Sequence, residues 1–183
     1  NTFCATVNAI IHSGATPVLV DIDPDTYNID TRKIENAITP RTRAICPVHY
    51  AGLPCEMGEI SRIAHKNGLL VIEDCAHAIE SHYEGKPVGT LGDFGCFSFY
   101  VTKNVVTAEG GMVITSNKEY ADRLKILALH GMTKDAWKRF GNSGYQHYDG
   151  VEAGFKYNMP DILAVLGIHQ LAQVERNWLR RKE

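Results

Sequence analysis

Three short and nearly continuous apolar runs constrain the fold of this chain most: residues 17–23 (PVLVDID), 43–49 (RAICPVH) and 69–73 (LLVIE). Runs of this kind suit strands that are covered on both faces of a sheet. Helical patterns lie between them, a weak one at residues 31–37 and an amphipathic one at residues 57–67, which Gly68 ends. Strands that alternate with helices at this spacing predict right-handed βαβ units and a mainly parallel sheet in an α/β fold.

Further helical patterns occur at residues 2–13, 118–130 and 161–175. Thr2 or Thr6 can cap the first of these helices, because a threonine hydroxyl accepts a hydrogen bond from a free amide of the first turn. Residues 131–155 lie between the other two and are rich in Gly, Tyr, His and Trp without a clear period. A patternless segment of this length is typical of a functional loop.

Composition and charge argue against several classes of protein. A chain of 183 residues with 44% hydrophobic content can bury one good core, which indicates one domain or part of one. Its 19 basic and 21 acidic residues form no basic stripe, so neither nucleic acid nor an anionic membrane is an expected partner. The five cysteines form no CxxC pair and indicate reduced thiols in a cytoplasm. The eight histidines show no metal-ligand spacing, and we expect no metal, signal peptide or membrane span.

Residues 92–115, GDFGCFSFYVTKNVVTAEGGMVIT, hold one lysine, Lys103, between two apolar runs. The connection between these runs is too short for a helical crossover, so one of the two strands is predicted to be antiparallel. Most loop lysines are merely solvated charges. Beside apolar walls and other cations, however, a lysine amine can act as a nucleophile that condenses with an aldehyde to a Schiff base.

Several polar side chains lie within or directly after the apolar runs. Asp74 follows the third run, at the strand edge where open α/β sheets bind ligands, although an aspartate there can also cap a helix. Glu73 precedes it and should point to the opposite side of the sheet. His77 would share a helical face with Asp74 if a helix began there. Ser98 lies inside an apolar run, where its hydroxyl needs a partner, either the backbone or a ligand.

Five motifs occur in one order along the chain: TFCAT (2–6), VIEDCAHA (71–78), FSFYVTKN (97–104), AEGG (108–111) and KYNMPD (156–161). Together they resemble the DegT/DnrJ/EryC1/StrS family, whose aminotransferases use pyridoxal phosphate to aminate keto sugars carried on nucleotides. The resemblance implies a three-layer α/β/α fold with a mainly parallel mixed sheet, like the large domain of fold-type-I pyridoxal-phosphate transferases. Family members are considerably longer, so residues 1–183 are expected to be most of that domain. This internal fragment would lack the N-terminal phosphate-binding segment and the C-terminal small domain.

The resemblance also implies roles around the cofactor, pyridoxal 5′-phosphate. Lys103 would form the Schiff base with the cofactor and then shuttle a proton between the amino donor and the cofactor. Asp74 would keep the pyridine nitrogen protonated, which makes the ring an electron sink. His77 would donate a hydrogen bond to the phenolic oxygen, and Ser98 would bind the phosphate.

Two further cofactor contacts follow from the resemblance. Phe3 would stack on the pyridine ring, with an ordinary core phenylalanine as the alternative. Asn158 would reach the phosphate of a neighbouring subunit, which implies a homodimer with shared active sites; a surface-capping asparagine is the alternative. Residues 137–140 (WKRF) and the pair His130 and Gly131 resemble the branch that acts on UDP-linked 4-keto sugars. Their loop would line the sugar site or be merely solvated.

The implied function is the transfer of an amino group from an amino acid, expected to be L-glutamate, to a nucleotide-linked keto sugar. Such a reaction serves amino-sugar or cell-surface polysaccharide biosynthesis in the cytoplasm. Two alternatives stay open. Some relatives are sugar dehydratases that use pyridoxamine phosphate and carry histidine where Lys103 stands, so the lysine counts against that class. A non-catalytic regulator with the same fold needs no proton-shuttling amine, so the joint presence of Asp74, Ser98 and Lys103 counts against it.

Overall fold

The computed structural model of the chain describes residues 1–133 and 149–183. Within them the helices are α1 (Cys4–His12), α2 (Thr31–Ala37), α3 (Met57–Asn67), α4 (Lys118–Ala128), α5 (Asp161–Leu171) and α6 (Val174–Lys182). The strands are β1 (Ala44–Ile45), β2 (Leu70–Asp74), β3 (His82–Tyr83), β4 (Lys86–Pro87), β5 (Phe94–Ser98) and β6 (Gly111–Ile114). The predicted bounds of α2 and α3 are confirmed.

The central sheet is mixed and mainly parallel, as the alternation of strands and helices predicts. Its strand order is β1, β2, β5, β6. β1 pairs with β2 and β2 with β5 in parallel, whereas β5 and β6 pair antiparallel, with Ser98 opposite Gly111. This last pair confirms the prediction made from the short connection. Since β2 and β5 run in the same direction, their carboxyl ends lie at one edge of the sheet.

The main hydrophobic core lies where α2 and α3 pack on β1 and β2. Helix α3 contributes Ile60 and Ile63, which are 0% and 1% exposed, and the strands contribute Ile45 and Val71. Burying one such side chain stabilises the fold by about 1.5–3 kcal/mol relative to leaving it exposed. Gly68 then ends α3 at φ 63°, a left-handed conformation that glycine adopts without a Cβ clash, and β2 follows at once.

The prediction of a buried strand at residues 17–23 is wrong. Val18 and Leu19 are 66% and 76% exposed, and the pairing of this run among the described residues is one antiparallel bridge from Ile22 to Ile29. That bridge closes a turn within the same segment, so it supplies no neighbouring strand for the rest of the run. An apolar run indicates burial, but a strand also requires a partner, which the run itself does not specify.

The strand predicted at residues 43–49 is shorter than expected. Ala44 and Ile45 form its ladder, after which Val48 makes an isolated bridge to Asp74. Pro47 interrupts the pairing, because a proline has no amide hydrogen to donate. Its carbonyl still accepts a hydrogen bond from the amide of Asp74 at 2.8 Å.

Three predicted helices differ from the structure in detail, and one of them, α4, ends at Ala128, two residues before its predicted end. Helix α1 begins after Phe3, whose side chain forms no capping hydrogen bond, so the predicted threonine cap is wrong. The Thr2 hydroxyl instead donates to the Thr6 hydroxyl at 2.9 Å. The helix predicted at residues 161–175 is two helices, α5 and α6, because the chain leaves helical geometry at Gln173 (φ −111°, ψ 0°). No helix in the described part of the chain has both the length and the apolar composition that a membrane crossing requires.

The sequence analysis does not predict the small hairpin that β3 and β4 form. Glu84 and Gly85 connect its strands with φ values of 49° and 78°, the left-handed pair that a type I′ turn requires. Tyr83 anchors the hairpin, since its hydroxyl accepts a hydrogen bond from the Gly58 amide of α3 at 3.3 Å. Strands of two residues are too short to carry an alternating apolar signal.

Candidate active site

Asp74 is the last residue of β2 and lies at the carboxyl edge of the sheet, as predicted. Its Oδ2 accepts a hydrogen bond from the Thr6 hydroxyl at 2.8 Å, and its Oδ1 accepts one from the Ala76 amide at 3.1 Å. The Thr2 hydroxyl donates in turn to Thr6 Oγ1. Helix α1 therefore contacts the end of β2 through the Thr6 hydroxyl, which orients the Asp74 carboxylate and is itself held by Thr2.

The helix that Asp74 would cap is absent from the described structure, so that alternative is wrong. The chain after it runs through two turns, in which the Ala78 amide donates to the Cys75 carbonyl and the Ser81 amide donates to the Ala78 carbonyl. The prediction that Asp74 and His77 share a helical face is therefore wrong as well. His77 lies in the first turn with an exposed side chain, and its contact with the cofactor stays a prediction.

Ser98 is the last residue of β5 and lies on the same face of the sheet as Asp74. In the parallel register Asp74 pairs with Cys96, and paired residues of neighbouring strands point to the same side. Ser98 follows Cys96 by one alternation of the strand and so shares that side. Its hydroxyl oxygen accepts a long hydrogen bond, 3.4 Å, from the Tyr100 amide, which leaves the hydroxyl hydrogen for another partner.

Two thiols lie close to the Asp74 carboxylate. Burial is the main cause that raises the pKa of Cys46 to about 12, and the negative charge of Asp74 adds to it. The same two causes raise the pKa of Cys96. A thiol that stays protonated at neutral pH is a poor nucleophile. These cysteines are therefore packing groups beside the candidate site.

Lys103 is half-buried in the loop of residues 99–110, which connects β5 to β6. The loop is closed at its base, where the Phe99 amide donates to the Gly110 carbonyl at 2.9 Å. The Lys103 amide donates to the Tyr100 carbonyl at 2.9 Å, which forms a tight turn directly before the lysine. The lysine thus belongs to a closed loop that leaves the carboxyl edge of the sheet.

Helix α5 holds the downstream half of this loop. The side-chain amide of Gln170 accepts a hydrogen bond from the Val106 amide and donates one to the Val106 carbonyl, both at 2.8 Å. Thr107 is fully buried, and a Cβ on Gly167 of α5 would come within 3.0 Å of its methyl group. Because both backbone groups of Val106 are bound by one side chain, this part of the loop is fixed as firmly as a strand beside its neighbour.

The carboxylate of Glu80 ties the upstream half of the loop to the turn that follows Asp74. Its side chain is 6% exposed, and its Oε1 accepts a hydrogen bond from Asn104 Nδ2 at 2.8 Å. The same oxygen accepts from the guanidinium of Arg181 in α6. Since Asn104 directly follows Lys103, one carboxylate connects the lysine loop, the turn after β2 and helix α6.

Three residues of this arrangement, Thr6, Glu80 and Gln170, are not among the site residues predicted from the sequence. Their partners are 68, 24 and 64 residues away along the chain, so no local pattern joins them. The available signal is a polar side chain in apolar surroundings, since Glu80 follows an apolar stretch and Gln170 interrupts an apolar helix. Such a side chain needs a partner when it is buried, but the sequence does not say which one.

The cofactor contacts of Phe3 and Asn158 stay predictions, whereas the alternative role considered for each residue is wrong. Phe3 is 74% exposed at the start of α1, so it is not a core phenylalanine. Asn158 is half-buried, and its Oδ1 accepts a hydrogen bond from the Lys156 ammonium group. Pro160 occupies the N-cap of α5, so Asn158 does not cap this helix.

The segment expected to line the sugar site is described at its ends, and residues 137–140 lie outside the described residues. His130 and Gly131 form a left-handed turn after α4, with φ values of 57° and 71°, and the Gly131 amide donates to the Ile126 carbonyl at 2.9 Å. A Cβ on Gly131 would come within 2.0 Å of the Glu152 carbonyl oxygen, so this close approach requires glycine. The pair therefore turns the chain after α4 has ended, and its role beside a sugar stays a prediction.

Glu73 is fully buried and points away from the candidate site, as predicted. Its carboxylate accepts four N–H groups, from His49 Nε2 at 3.0 Å and from the amides of Gly89 at 2.7 Å, Leu91 at 2.8 Å and Gly92 at 2.6 Å. Burial alone would raise the pKa of Glu73, but these hydrogen bonds outweigh it and lower that pKa. The ionised carboxylate therefore joins β2 to the segment before β5.

The donor atoms of His49, Glu73 and Cys75 lie within 4.8 Å of one another, a grouping that can hold a metal ion. His49 Nδ1 accepts a hydrogen bond from the Cys55 amide at 3.0 Å, so Nε2 carries the proton that is donated to Glu73. The Cys75 thiol donates to the Glu73 carbonyl at 3.7 Å, and burial raises the pKa of this thiol. Both ring nitrogens of His49 therefore have hydrogen-bond partners within the protein, and the cluster is explained as a hydrogen-bonded part of the core.

Comparison with known proteins identifies the family. The chain matches the sequence profile of the DegT/DnrJ/EryC1/StrS aminotransferase family over residues 1–183. It is 58% identical over 182 residues to MJ1066, an uncharacterised protein of Methanocaldococcus jannaschii. It is 48% identical over 182 residues to SpsC, a spore coat polysaccharide biosynthesis protein of Bacillus subtilis. Each match covers 100% of this chain and 47% of the relative, so the chain spans about half the length of these curated relatives.

Solved structures of aminotransferases share the fold. Spr1654 from Streptococcus pneumoniae is a proposed sugar aminotransferase that was solved in its pyridoxamine-phosphate (PMP) and pyridoxal-phosphate (PLP) forms. The PMP form superposes with a TM-score of 0.89 at 37% identity, over 99% of this chain and 50% of that one. Its PLP form superposes with a TM-score of 0.85. DesI, solved in the presence of its TDP-sugar product, superposes with a TM-score of 0.81 at 36% identity, over 96% of this chain and 42% of that one. The α/β fold is that of fold-type-I aminotransferases, and the chain belongs to the DegT/DnrJ/EryC1/StrS aminotransferase family.

Proposed function

We propose that the protein is a pyridoxal-phosphate-dependent aminotransferase, and that residues 1–183 are most of its cofactor-binding large domain. One observation carries the proposal. Asp74 and Ser98 end neighbouring parallel strands on one face of the sheet, and Lys103 lies in the loop that leaves the second strand. An acid and a hydroxyl thereby lie at one carboxyl edge, where open α/β sheets bind their ligands, and the loop that carries the amine leaves this edge.

This set of side chains fits pyridoxal 5′-phosphate. The cofactor carries a ring nitrogen, a phosphate and an aldehyde, which a carboxylate, a hydroxyl and an amine complement. Asp74, already oriented by Thr6, would hold the proton of the ring nitrogen. Ser98 would donate to the phosphate, and Lys103 would bind the aldehyde carbon. When bound, the cofactor supplies an electron sink for the Cα of the amino donor.

Lys103 is also the proposed general base and general acid. Its Nζ would take the proton from the Cα of the amino donor and return it one position further along, at the former aldehyde carbon. A lysine in a closed loop suits this task, because one amine must stay within reach of both positions. The donor would leave as a keto acid before the acceptor binds, and its amino group would pass to the sugar ketone in a second half-reaction, so we expect ping-pong kinetics.

Three further residues are proposed to complete the site. His77 would donate to the phenolic oxygen of the cofactor, and its exposed position leaves the imidazole free to do so. Phe3 would stack on the ring, which accords with its exposure at the start of α1. Asn158 would reach the phosphate of a neighbouring subunit, so the active protein is proposed to be a homodimer with shared sites, acting in the cytoplasm.

The proposed acceptor is a nucleotide-linked keto sugar, with L-glutamate as the amino donor. The similarity to SpsC supports a role in polysaccharide or amino-sugar biosynthesis, and the similarity to DesI supports a sugar carried on a nucleotide. Within that class we propose a UDP-linked 4-keto sugar, on the resemblance of residues 137–140 and of His130 and Gly131 to that branch.

Trapping the cofactor on the complete protein tests the proposal. Borohydride reduction followed by peptide mass spectrometry should locate the cofactor on Lys103, and L-glutamate should abolish the visible absorbance band before reduction. Lys103→Ala should lose the band and the transfer activity. Lys86→Ala, at an exposed lysine of β4, is the matched control and should keep both. A band that survives in Lys103→Ala, or an adduct on another lysine, would contradict the proposal.

A further inference from the structure

The carboxylate of Glu80 is buried and incompletely satisfied. Its side chain is 6% exposed, and Oε1 accepts from both Asn104 and Arg181. The other oxygen, Oε2, is buried without a hydrogen-bond partner among the described residues. Leaving half of a buried carboxylate unpaired is unfavourable, and such exceptions are rare in folded proteins. The two hydrogen bonds that Oε1 accepts therefore fix the position of the Glu80 side chain.

One of the two hydrogen bonds of Glu80 Oε1 comes from the residue next to Lys103. Glu80 lies in the second of the two turns that follow Asp74, and Asn104 is the residue directly after Lys103. The downstream half of the loop is held separately, through Val106 and Gln170. Among the described residues, the hydrogen bond between Asn104 and Glu80 is the side-chain contact that joins the backbone beside Lys103 to the turns that follow Asp74.

We propose that Glu80 is a positioning residue for Lys103, which it holds at a fixed separation from Asp74 through Asn104. This inference rests on the proposed function, in which both groups act on one cofactor. Arg181 orients the Glu80 carboxylate through a charge-assisted hydrogen bond, so helix α6 contributes to the same arrangement. A displacement of about 1 Å in such a group can lower a rate by about a hundredfold.

Hydrogen exchange tests the tie itself, in the complete protein without added cofactor. Asn104→Ala removes the bond at an exposed loop position, and Glu80→Ala removes it from the other side. Both should speed exchange of the Lys103 amide about tenfold, as expected for the loss of a hydrogen bond to a charged group. Gln170→Ala should instead speed exchange of the Val106 amide. Unchanged exchange at Lys103 in Asn104→Ala would overturn the inference.

Kinetics of the complete holoenzyme test the consequence for catalysis. We expect Asn104→Ala and Glu80→Ala each to lower kcat by about ten- to a hundredfold with little change in KM for the amino donor. The double variant should be no worse than either single one, because both remove one link. Glu80→Gln, whose side-chain oxygen can still accept from Asn104, should recover most of kcat.

Matched controls separate this inference from general damage. Glu175→Ala, at an exposed position in α6, should leave both the exchange at Lys103 and kcat unchanged. A normal kcat in Asn104→Ala would overturn the positioning role even if exchange at Lys103 rises. An absence of any cofactor adduct on Lys103 in the parent protein would instead defeat the proposed function, while the exchange measurement still decides whether the tie exists.

Discussion

Asp74 has one donor at each carboxylate oxygen, and the two donors differ in origin. The Ala76 amide at Oδ1 belongs to the adjoining turn, so its presence follows from the local backbone. The Thr6 hydroxyl at Oδ2 comes from α1, and Thr2 supplies the hydrogen bond that Thr6 accepts in turn. A hydrogen bond to a charged group contributes about 1.5–3 kcal/mol. Without Thr6 the carboxylate would be held at one oxygen and could rotate.

We expect the substitution Thr6→Val, which removes the hydroxyl and keeps the branched shape, to weaken cofactor binding by the complete protein. The Kd for pyridoxal phosphate should rise about tenfold, because the carboxylate is no longer aimed at the ring nitrogen. Titration of the cofactor absorbance measures this Kd. Ser13→Ala removes a hydroxyl from the far end of α1 and should leave the Kd unchanged. Equal affinity in Thr6→Val and the parent would show that Thr6 has no such role.

At the scale of single residues, the sequence singles out the candidate reactive groups but not the residues that contact them. Asp74 and Ser98 could be singled out because each is a polar residue in or directly after an apolar run, and Lys103 because it lies between two of them. Thr6 and Glu80 carry no comparable signal, since a threonine in a helix and a glutamate in a turn are common. Their importance arises from packing that brings distant segments together.

Among elements, helices are predicted more closely than strands. The amphipathic period of α3 and the glycine that ends it are both local signals, so the predicted bounds agree with the structure. A strand is completed by a neighbour, which an apolar run does not identify. Residues 17–23 therefore have the composition of a buried strand while Val18 and Leu19 are exposed, and the strand predicted at residues 43–49 is interrupted by Pro47.

Gly68 links two of these elements, and its substitution tests whether the end of α3 depends on its conformation. A Cβ at this position would meet no atom within 4 Å, so Gly68→Ala introduces backbone strain without a clash. We expect the free energy of unfolding, measured by urea denaturation, to fall by about 1 kcal/mol. Gly68→Asn should cost less, because asparagine tolerates left-handed geometry better. Equal losses for Ala and Asn would argue against this explanation.

In the molecule as a whole, Glu73 connects the sheet to the chain around it. Its carboxylate binds His49, which follows β1, and three amides in the segment that leads into β5. Neither contact could be predicted from the sequence, where Glu73 is merely the residue that faces away from Asp74. Leaving one buried N–H donor without its acceptor typically costs about 1–3 kcal/mol.

The substitution Glu73→Gln should lower the free energy of unfolding at neutral pH by about 2–6 kcal/mol, because its amide NH₂ would face two N–H donors that each lose an acceptor at a cost of about 1–3 kcal/mol. The parent should also lose stability in acid. Since the pKa of folded Glu73 lies below its ordinary value of 4.5, its contribution is complete above 4.5 and is lost as the pH falls through the folded value.

Urea denaturation at a series of pH values, from neutral to well below 4.5, measures both effects. The acid-dependent loss should be smaller in Glu73→Gln, which has no carboxyl to protonate at this position. Glu59→Gln alters an exposed carboxylate paired with Arg62 and should reproduce neither effect. If the parent and Glu73→Gln lose stability equally as the pH falls, the acid dependence arises elsewhere.

Strand β2 ends with two adjacent carboxylates that serve opposite sides, Glu73 inward and Asp74 toward the candidate site. A slip of one residue would exchange them, leaving the core with the wrong acid and the site with the other. Selection for a stable fold would therefore preserve the direction of the Asp74 side chain without acting on chemistry. Descendants of such a chain can diverge in their loops, and so in what they recognise, while inheriting an acid that is already in place.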